Sequence, residues 1–372
     1  MIRFVHTSDL QIGTPFARFP TDVGSRLREA RIDALDRVLR LAKERAADFV
    51  LIAGDLFDNQ TLPDAEIVRT CDLIRGAERP VFVIPGNHDH GGPGSIWTDA
   101  RFVRHKPDAL GLCLDGTPVV TADGRAVVLP APLLRRHEPG DPSRHITAEL
   151  GAGDGRIRVA FAHGGVIGFA NEGDATNLLD PGLVARAELD YLALGDWHGT
   201  KKISDRAWYS GTPEVDRFKA NDPGHALVVT IAAPRATPQV EVVRTTEYTW
   251  VRHDASIAGP SDVSALEAWF AAIEVPSRTL VRLELAGALS LEEKRRLEDV
   301  VLRDAAARLR HVRRRGSDIV ALPSDDELRA MTIDGFVGAA VTELRARAGD
   351  DPAASRALEL LHALRFTGGA GC

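Results

Sequence analysis

Residues 49–58 read FVLIAGDLFD, a short apolar run rich in strand-forming residues that stops abruptly at Gly54-Asp55. A continuous apolar run of this length, ended by glycine, is typical of a strand buried on both faces. The pattern predicts that Asp55 stands where the strand leaves its sheet. We interpret this carboxylate as the centre of an active site.

Four other strand-like runs end in groups that can bind metal ions. These endings are residues 8–11 (SDLQ), 86–89 (GNHD), 162–164 (AHG) and 195–198 (GDWH). In open α/β sheets, ligands bind at the carboxyl ends of the strands. One aspartate after a strand is more often a turn or a helix cap, but five such endings indicate one shared site along a sheet edge.

The composition limits the class of protein. A chain of 372 residues with 44% apolar residues predicts a sizeable core and two domains, or one domain with an appendage. The net charge of −7 gives no overall electrostatic reason to expect a nucleic-acid or membrane partner, so polyanion binding requires local patches or bound cations. Three widely spaced cysteines argue against a disulfide framework and a zinc cluster.

Neither a membrane span nor a signal peptide is predicted. No run of about 18 apolar residues occurs, and the N-terminus lacks the apolar core of a signal peptide. The cysteine usage fits a reducing compartment. We therefore expect a cytoplasmic protein with no membrane partner.

The first 90 residues alternate between strand and helix patterns, which predicts a parallel α/β arrangement. The strands are expected at Ile2–Val5, Phe49–Ala53 and Val81–Ile84, and the helices at Asp22–Ala47 and Pro63–Gly76. Short strands separated by Asp-Gly turns follow between residues 112 and 130, which indicates a meander or a second sheet.

Three regions are predicted along the chain. Residues 1–245 form the first domain, and its boundary near residue 245 falls within an alternating strand predicted at Val240–Arg252. Residues 246–323 form a small α+β module, whose two helices are expected to open with the capping boxes Ser264-x-x-Glu267 and Ser290-x-x-Glu293. Residues 324–372 form a helical tail.

The five strand endings resemble the five motifs of the calcineurin-like metallophosphoesterases: Asp9-x-Gln11, Gly54-Asp55-x-x-Asp58, Gly86-Asn87-His88-Asp89, Ala162-His163 and Gly195-Asp196-x-His198. Within this superfamily the chain is most similar to the SbcD-type DNA repair nucleases. The residues that carry this closer likeness are 6–9 (HTSD), 54–58 (GDLFD) and 209–214 (YSGTPE). The likeness extends over residues 1 to 231.

This resemblance implies an α/β fold, a four-layer α/β/β/α sandwich with a small α+β capping domain and a helical C-terminal tail. It also implies two divalent metal ions. One would be held by Asp9, Gln11, Asp55 and His198, and the other by Asp55, Asn87, His163 and Asp196.

The resemblance also assigns catalytic roles beside the metals. His88 would stabilise the developing charge on the phosphate or protonate the leaving oxygen, and Asp89 would orient its ring. The chain departs from the family at two ligand positions, since Gln11 and Asp196 stand where histidine is usual. Two nitrogen donors are thereby exchanged for two oxygen donors, which favours Mn²⁺, or Mg²⁺, over Zn²⁺.

The implied function is a metal-dependent DNA exonuclease or endonuclease in DNA repair. The resemblance further implies a homodimer and an SbcC-type coiled-coil ABC ATPase that contacts the C-terminal helices. Two alternatives remain open: a phosphodiesterase for cyclic nucleotides or other small diesters, and an architectural subunit that binds DNA or the ATPase without cutting. A protein phosphatase is disfavoured because no arginine is evidently placed to hold a phosphomonoester dianion.

Two further features have both a structural and a functional interpretation. Trp197 is expected to pack, or to stack on a base or sugar. The basic run at 308–315 is either an exposed strand with solvated cations or a patch that follows phosphates. Its arginines are Arg308, Arg310, Arg313, Arg314 and Arg315.

Overall fold

A computed structural model describes residues 1–152, 155–169, 177–316, 319–321, 336–348 and 350–367. The chain divides into two compact units, Met1–Glu247 and Tyr248–Cys372. The expected end of the α+β module at Leu322-Pro323 and the expected start of the helical tail lie outside the described residues.

The first unit contains strands and helices in alternation. Its strands are β1 Ile2–Thr7, β2 Phe49–Ala53, β3 Val81–Ile84, β4 Leu110–Leu112, β5 Val119–Val120, β6 Ala126–Ala131, β7 Ile157–His163, β8 Tyr191–Gly195, β9 Lys201–Ser204, β10 Ala207–Tyr209, β11 His225–Ile231 and β12 Gln239–Arg244. Its helices are α1 Thr21–Glu44, α2 Asp64–Arg75, α3 Ala100–His105 and α4 Leu183–Arg186, with a 3₁₀ turn at Ile96–Thr98.

These strands form two six-stranded sheets. The first has the order β12-β11-β1-β2-β3-β4, and the second has the order β5-β6-β7-β8-β10-β9. Strands β1 to β4 pair in parallel, as do β6, β7 and β8. The predicted parallel α/β arrangement is therefore confirmed, and the middle of the chain forms a second sheet rather than a separate meander.

Apolar side chains hold the two sheets face to face. Phe4 of β1 stacks on Phe49 of β2 with ring centroids 5.0 Å apart, and its ring also meets Tyr191 of β8 edge-on at 5.5 Å. The outer face of the first sheet is covered by α1, α2 and α3, and the outer face of the second by α4 and irregular chain. This order of layers confirms the expected α/β/β/α sandwich.

The second unit is built on parallel strands. These are β13 Thr249–Ile257, β14 Thr279–Leu289, β15 His311–Arg315 and β16 Val320–Ala321, and each of the other three pairs with β14. Its helices are α5 Pro260–Ala271, α6 Leu291–Arg296, a π-helical turn at Leu297–Leu302, α7 Arg303–Arg308, α8 Phe336–Arg347 and α9 Pro352–Thr367, with a 3₁₀ turn at Pro276–Arg278. Among the described residues no helix is both long enough and apolar enough to cross a membrane.

Two local predictions were wrong. The expected strand Val240–Arg252 is divided into β12 and β13, because residues between them make other bonds: Thr245 N–H donates to the Gly224 carbonyl at 2.8 Å. The helix α5 begins at Pro260, so Ser264 lies within it. The second capping box is confirmed, since the Ser290 hydroxyl accepts the Glu293 N–H at 3.2 Å.

Candidate metal centre

The five strand endings converge because the loops that leave the two sheets are hydrogen bonded to one another. The N–H of Asp9 donates to the Gly54 carbonyl at 3.1 Å, and the N–H of Gln11 donates to the Asp55 carbonyl at 2.8 Å. His163, the last residue of β7, reaches across from the second sheet and donates from Nδ1 to the Ala53 carbonyl at 2.9 Å. All endings therefore open into one site.

Four of the predicted ligands have an unusual backbone conformation. Asp9, Gln11, Asp55 and Asp196 have φ values of 53°, 44°, 53° and 99°. This left-handed region is costly for residues other than glycine, although aspartate tolerates it better than most. Such strain accumulates at functional sites, where the surrounding structure holds it in place.

Two glycines are required by close approach at this site. A Cβ on Gly54, whose φ is 90°, would strike the His163 ring, and a Cβ on Gly86 would strike the Asp55 carboxylate. Glycine alone lets the loops come so near to the ligands. This explains why glycine precedes the chemical group in these two motifs.

One set of ligands surrounds His163. Its Nε2 lies 2.9 Å from Asn87 Oδ1, 3.6 Å from Asp55 Oδ2 and 3.8 Å from Asp196 Oδ1. Because Nδ1 donates to Ala53, the lone pair of neutral His163 faces these three oxygens. Burial lowers the pKa of His163, but Asp55, Asp9 and Asp196 outweigh it and raise that pKa to about 9, so the position favours a positive charge.

The second set surrounds Gln11. Its Nε2 lies 3.1 Å from Asp55 Oδ2 and 3.4 Å from His198 Nε2. His198 Nε2 lies 4.0 Å from Asp9 Oδ1. The structure therefore brings together all seven side chains for which the sequence predicts metal binding. As oriented, Gln11 donates to Asp55, and its amide nitrogen rather than its oxygen faces the other ligands.

The donor set fits a divalent cation. Ligand atoms of Asp9, Asp55 and His163, all buried, lie within 4.8 Å of one another. Carboxylate and amide oxygens suit Mn²⁺ and Mg²⁺, and imidazole nitrogens bind transition-metal ions. Buried carboxylates without a neutralising cation are unfavourable. Asp55 contributes to both sets, which is the arrangement required of a shared ligand.

A buried arginine and an aspartate that the sequence analysis missed support His198. Asp216 Oδ2 lies 2.9 Å from His198 Nδ1 and 3.0 Å from Arg31 Nη2. Arg31, only 1% exposed, also donates to the Asp9 and Leu10 carbonyls. A carboxylate on one ring nitrogen orients the other toward a metal, and here Nε2 is the nitrogen that faces Asp9.

Arg217 is a third residue that the sequence analysis did not identify. Its Nη2 lies 2.9 Å from Asp216 Oδ2 and 2.8 Å from His198 Nδ1, and its side chain is 44% exposed. Burial raises the pKa of Asp216, but His198, Arg31 and Arg217 hold it well below its usual range. Arg217 therefore places an arginine beside a predicted ligand. The position of Arg217 shortly after the 209–214 motif is the sequence feature that could have indicated it.

His88 is oriented by a different residue from the one expected. Its Nδ1 donates to the Asp58 carbonyl at 2.7 Å and lies 3.9 Å from the Asp58 carboxylate, and its backbone N–H donates to Asp55 Oδ1 at 2.9 Å. Nε2 has no hydrogen-bond partner within the described part of the chain. The ring is therefore fixed with Nε2 left to meet a substrate.

Asp89 supports two loops instead of the His88 ring. Its carboxylate oxygens accept the N–H groups of Gly86 at 2.7 Å and Phe57 at 3.1 Å. Burial and the charge on Asp55 raise the pKa of Asp89 to about 7, although these two N–H groups lower it. The expected contact with His88 is replaced by a link between the endings of β2 and β3.

We expect Asp89→Ala to destabilise the fold. Two buried N–H groups would lose their acceptors, at a cost of about 1–3 kcal/mol for each unsatisfied group. Urea unfolding at pH 7 measures the change in free energy of unfolding. Asp108→Ala is the matched control, since Asp108 is exposed, and an equal effect of the two substitutions would contradict this role.

The predicted basic run does not form one patch. Arg308 pairs with Asp304 at 3.4 Å, Arg310 donates to the Ser277 carbonyl at 2.9 Å, and Arg314 pairs with Glu298 at 2.6 Å. Arg313 and Arg315 alternate with Arg314 along β15, so their side chains leave the opposite face of the sheet. The run lies in the second unit, whereas the seven ligands lie in the first.

Comparison with known proteins places this geometry in context. A family model for the calcineurin-like phosphoesterases matches residues 2–230. A Bacillus subtilis protein named uncharacterized metallophosphoesterase YhaO is 25% identical over 244 residues, which cover 61% of this chain and 57% of that protein. A Halobacterium salinarum protein named DNA double-strand break repair protein Mre11 is 29% identical over 281 residues, which cover 71% of this chain and 65% of that protein.

The chain thus matches less than two thirds of the length of either relative. Among solved structures, the crystal structure of the Thermus thermophilus protein TT1561 is 12% identical and has a TM-score of 0.39. The match covers 66% of this chain and 99% of that one.

Proposed function

The chain belongs to the calcineurin-like phosphoesterase family, and we propose that it hydrolyses phosphodiester bonds of DNA with two divalent cations held at the strand endings. One observation carries the proposal. Oxygens of Asn87, Asp55 and Asp196 surround His163 Nε2 within 3.8 Å, and Asp55 also joins the set around Gln11.

The residues of the chain have distinct tasks in this proposal. Bound cations would supply an activated water and would stabilise charge on the phosphate. Asp55 stands between the two ligand sets, and His88 presents Nε2 to the leaving oxygen while Asp58 fixes the other ring nitrogen. A histidine so oriented can donate a proton or a hydrogen bond as charge develops.

DNA is the proposed substrate because of the relatives. The Halobacterium salinarum relative is named for DNA double-strand break repair, which supports DNA over a cyclic nucleotide or another small diester. By the same likeness we propose a role in DNA repair, a homodimer, and an SbcC-type coiled-coil ABC ATPase as partner of the C-terminal helices.

The decisive test uses the purified chain with labelled linear and hairpin DNA and with a generic phosphodiester, each in Mn²⁺, Mg²⁺, Zn²⁺ and EDTA. We expect cleavage of DNA that requires metal and is fastest in Mn²⁺. Cleavage of the generic diester alone would favour a small-molecule phosphodiesterase. DNA binding without cleavage in every metal would favour an architectural subunit, and highest activity in Zn²⁺ would contradict the proposed metal preference.

We expect Gln11→His to tighten metal binding. An imidazole is a stronger ligand than a neutral amide, and position 11 lies within reach of Asp55 and His198. Calorimetric titration with Mn²⁺ and Zn²⁺ should show a lower dissociation constant, with the larger gain for Zn²⁺. Gln239→His, at an exposed position, is the control. An unchanged affinity would mean that position 11 does not reach the metal.

A further inference from the structure

Two lysine ammonium groups lie over the ring of Trp197, beside the metal centre. Lys219 Nζ is 4.6 Å from the ring centroid, and Lys201 Nζ is 5.3 Å from it. Lys201 Nζ is also 5.6 Å from the ring of Phe169, which is 45% exposed. Trp197 itself packs against the apolar cluster outside the second sheet, so the indole is a fixed support for both cations.

Among the described residues, these two lysines, unlike Lys43 and Lys202, have no acidic partner. Lys202 pairs with Asp205 at 2.6 Å, and Lys43 pairs with Glu78 at 2.9 Å. In the part of the chain that the structure describes, neither Lys201 nor Lys219 has a carboxylate within 4.0 Å. Cations on an aromatic ring keep their full charge, and the electron-rich face of the ring attracts them.

The residues that carry this lysine pair are neighbours, in the chain, of the predicted metal ligands. Trp197 lies between Asp196, whose N–H donates to Asp9 at 3.2 Å, and His198, which is held by Asp216. Lys219 follows Arg217, which contacts the His198 ring, by two residues. The ring and Lys219 therefore belong to segments that adjoin the predicted ligands in the chain, within the first unit.

The two ammonium groups are close enough together for one nucleic-acid strand to contact both. Since both nitrogens lie close to the same ring centroid, they are at most about 10 Å apart. A nucleic-acid strand carries one phosphate per about 3.4 Å of helix axis. Two like charges that share one ring also repel each other, and an anion between them removes that repulsion. With a net charge of −7, binding of a polyanion depends on local patches or bound cations, and the lysine pair is such a patch.

We propose that Lys201 and Lys219, supported by Trp197, form a subsite for the phosphates of a nucleic-acid strand next to the bond that is cut. The inference rests on the proposed function, and it explains how the chain prefers a polymer. A substrate with a single phosphate occupies the metal centre alone, whereas a strand also occupies the lysine pair.

The test compares the full chain with the Lys201→Gln/Lys219→Gln double variant. The substrates are labelled single-stranded DNA and a generic diester such as bis(p-nitrophenyl) phosphate, in Mn²⁺ at several salt concentrations. For DNA we expect kcat/KM to fall about tenfold or more, and the slope of log kcat/KM against log salt to decrease by about 1.4, for two lost contacts. Hydrolysis of the generic diester should be unchanged.

Three further variants sharpen the comparison. Lys43→Gln/Lys202→Gln removes two paired lysines and should leave DNA cleavage unchanged. Lys201→Arg/Lys219→Arg keeps the charges and should retain most of the activity on DNA. Trp197→Leu should weaken DNA cleavage less than loss of the lysines does; the reverse order would indicate base stacking on the indole and would overturn the phosphate subsite.

A binding measurement separates this inference from the proposed function. Fluorescence anisotropy of labelled DNA in EDTA should show weaker binding by the lysine double variant than by the wild-type chain. Equal affinity and equal cleavage would overturn the subsite and leave DNA hydrolysis intact. Failure of the wild-type chain to cut DNA would overturn the proposed function, and the anisotropy result would still decide whether the lysine pair binds strands.

Discussion

The Asp55→Asn variant is expected to lose metal-dependent hydrolysis, with kcat lower by at least about 1000-fold. Asp55 Oδ2 lies 3.1 Å from Gln11 Nε2 and 3.6 Å from His163 Nε2, so one carboxylate serves both ligand sets. Its Oδ1 also accepts the His88 N–H at 2.9 Å. An amide removes the negative charge that both sets share, while preserving the size of the side chain.

The matched control is Asp108→Asn, which makes the same chemical change at an exposed position. Hydrolysis should be measured in Mn²⁺ and in EDTA, and Mn²⁺ binding should be measured by calorimetry on the same preparations. Activity that survives both EDTA and Asp55→Asn would contradict a metal-dependent mechanism. Unchanged Mn²⁺ binding by the variant would contradict a shared ligand.

The His88→Ala variant is expected to lose turnover while keeping its metals. General acid catalysis by a positioned histidine contributes about 10²–10⁴-fold, which is the expected loss in kcat. The ring contacts Asp58, and the link from this residue to Asp55 is made by its backbone N–H, which alanine retains. KM for DNA and the Mn²⁺ stoichiometry should therefore change little.

His137→Ala is the control for this variant, since His137 is exposed. Calorimetry gives the number of bound ions, and steady-state kinetics separates kcat from KM. Loss of bound Mn²⁺ in His88→Ala would show that the ring holds the metal and that its catalytic assignment is mistaken. A kcat close to that of the wild-type chain would show that another group protonates the leaving oxygen.

The fold could be predicted where local signals are strong. Strands β2 and β3 begin and end at the predicted residues, because apolar runs are cut off by Gly54 and by Pro85-Gly86. The division between β12 and β13 could not be predicted. It depends on bonds such as that from Thr246 Oγ1 to Glu214 at 2.7 Å, between residues far apart in sequence, while the local alternation of side chains continues unbroken.

In the candidate site, too, the local sequence predicts some residues, whereas others depend on contacts between residues far apart in the chain. The seven ligands lie at the ends of five strands, where the apolar runs stop, so the sequence could indicate all seven. Arg31 lies in an amphipathic helix, where it resembles any solvated charge, and its pairing with Asp216 joins residues 185 positions apart. Asp89 was assigned to His88 because the two are adjacent in sequence, whereas loop geometry brings Asp58 to the His88 ring.

Electron paramagnetic resonance of the Mn²⁺-loaded chain tests most directly whether two cations share Asp55. Two ions about 3.5–4 Å apart are close enough for their spins to couple. The wild-type chain should bind two Mn²⁺ and give an exchange-coupled spectrum, which Asp55→Asn should abolish. A single bound ion, or an uncoupled spectrum from the fully loaded wild-type chain, would contradict the shared ligand.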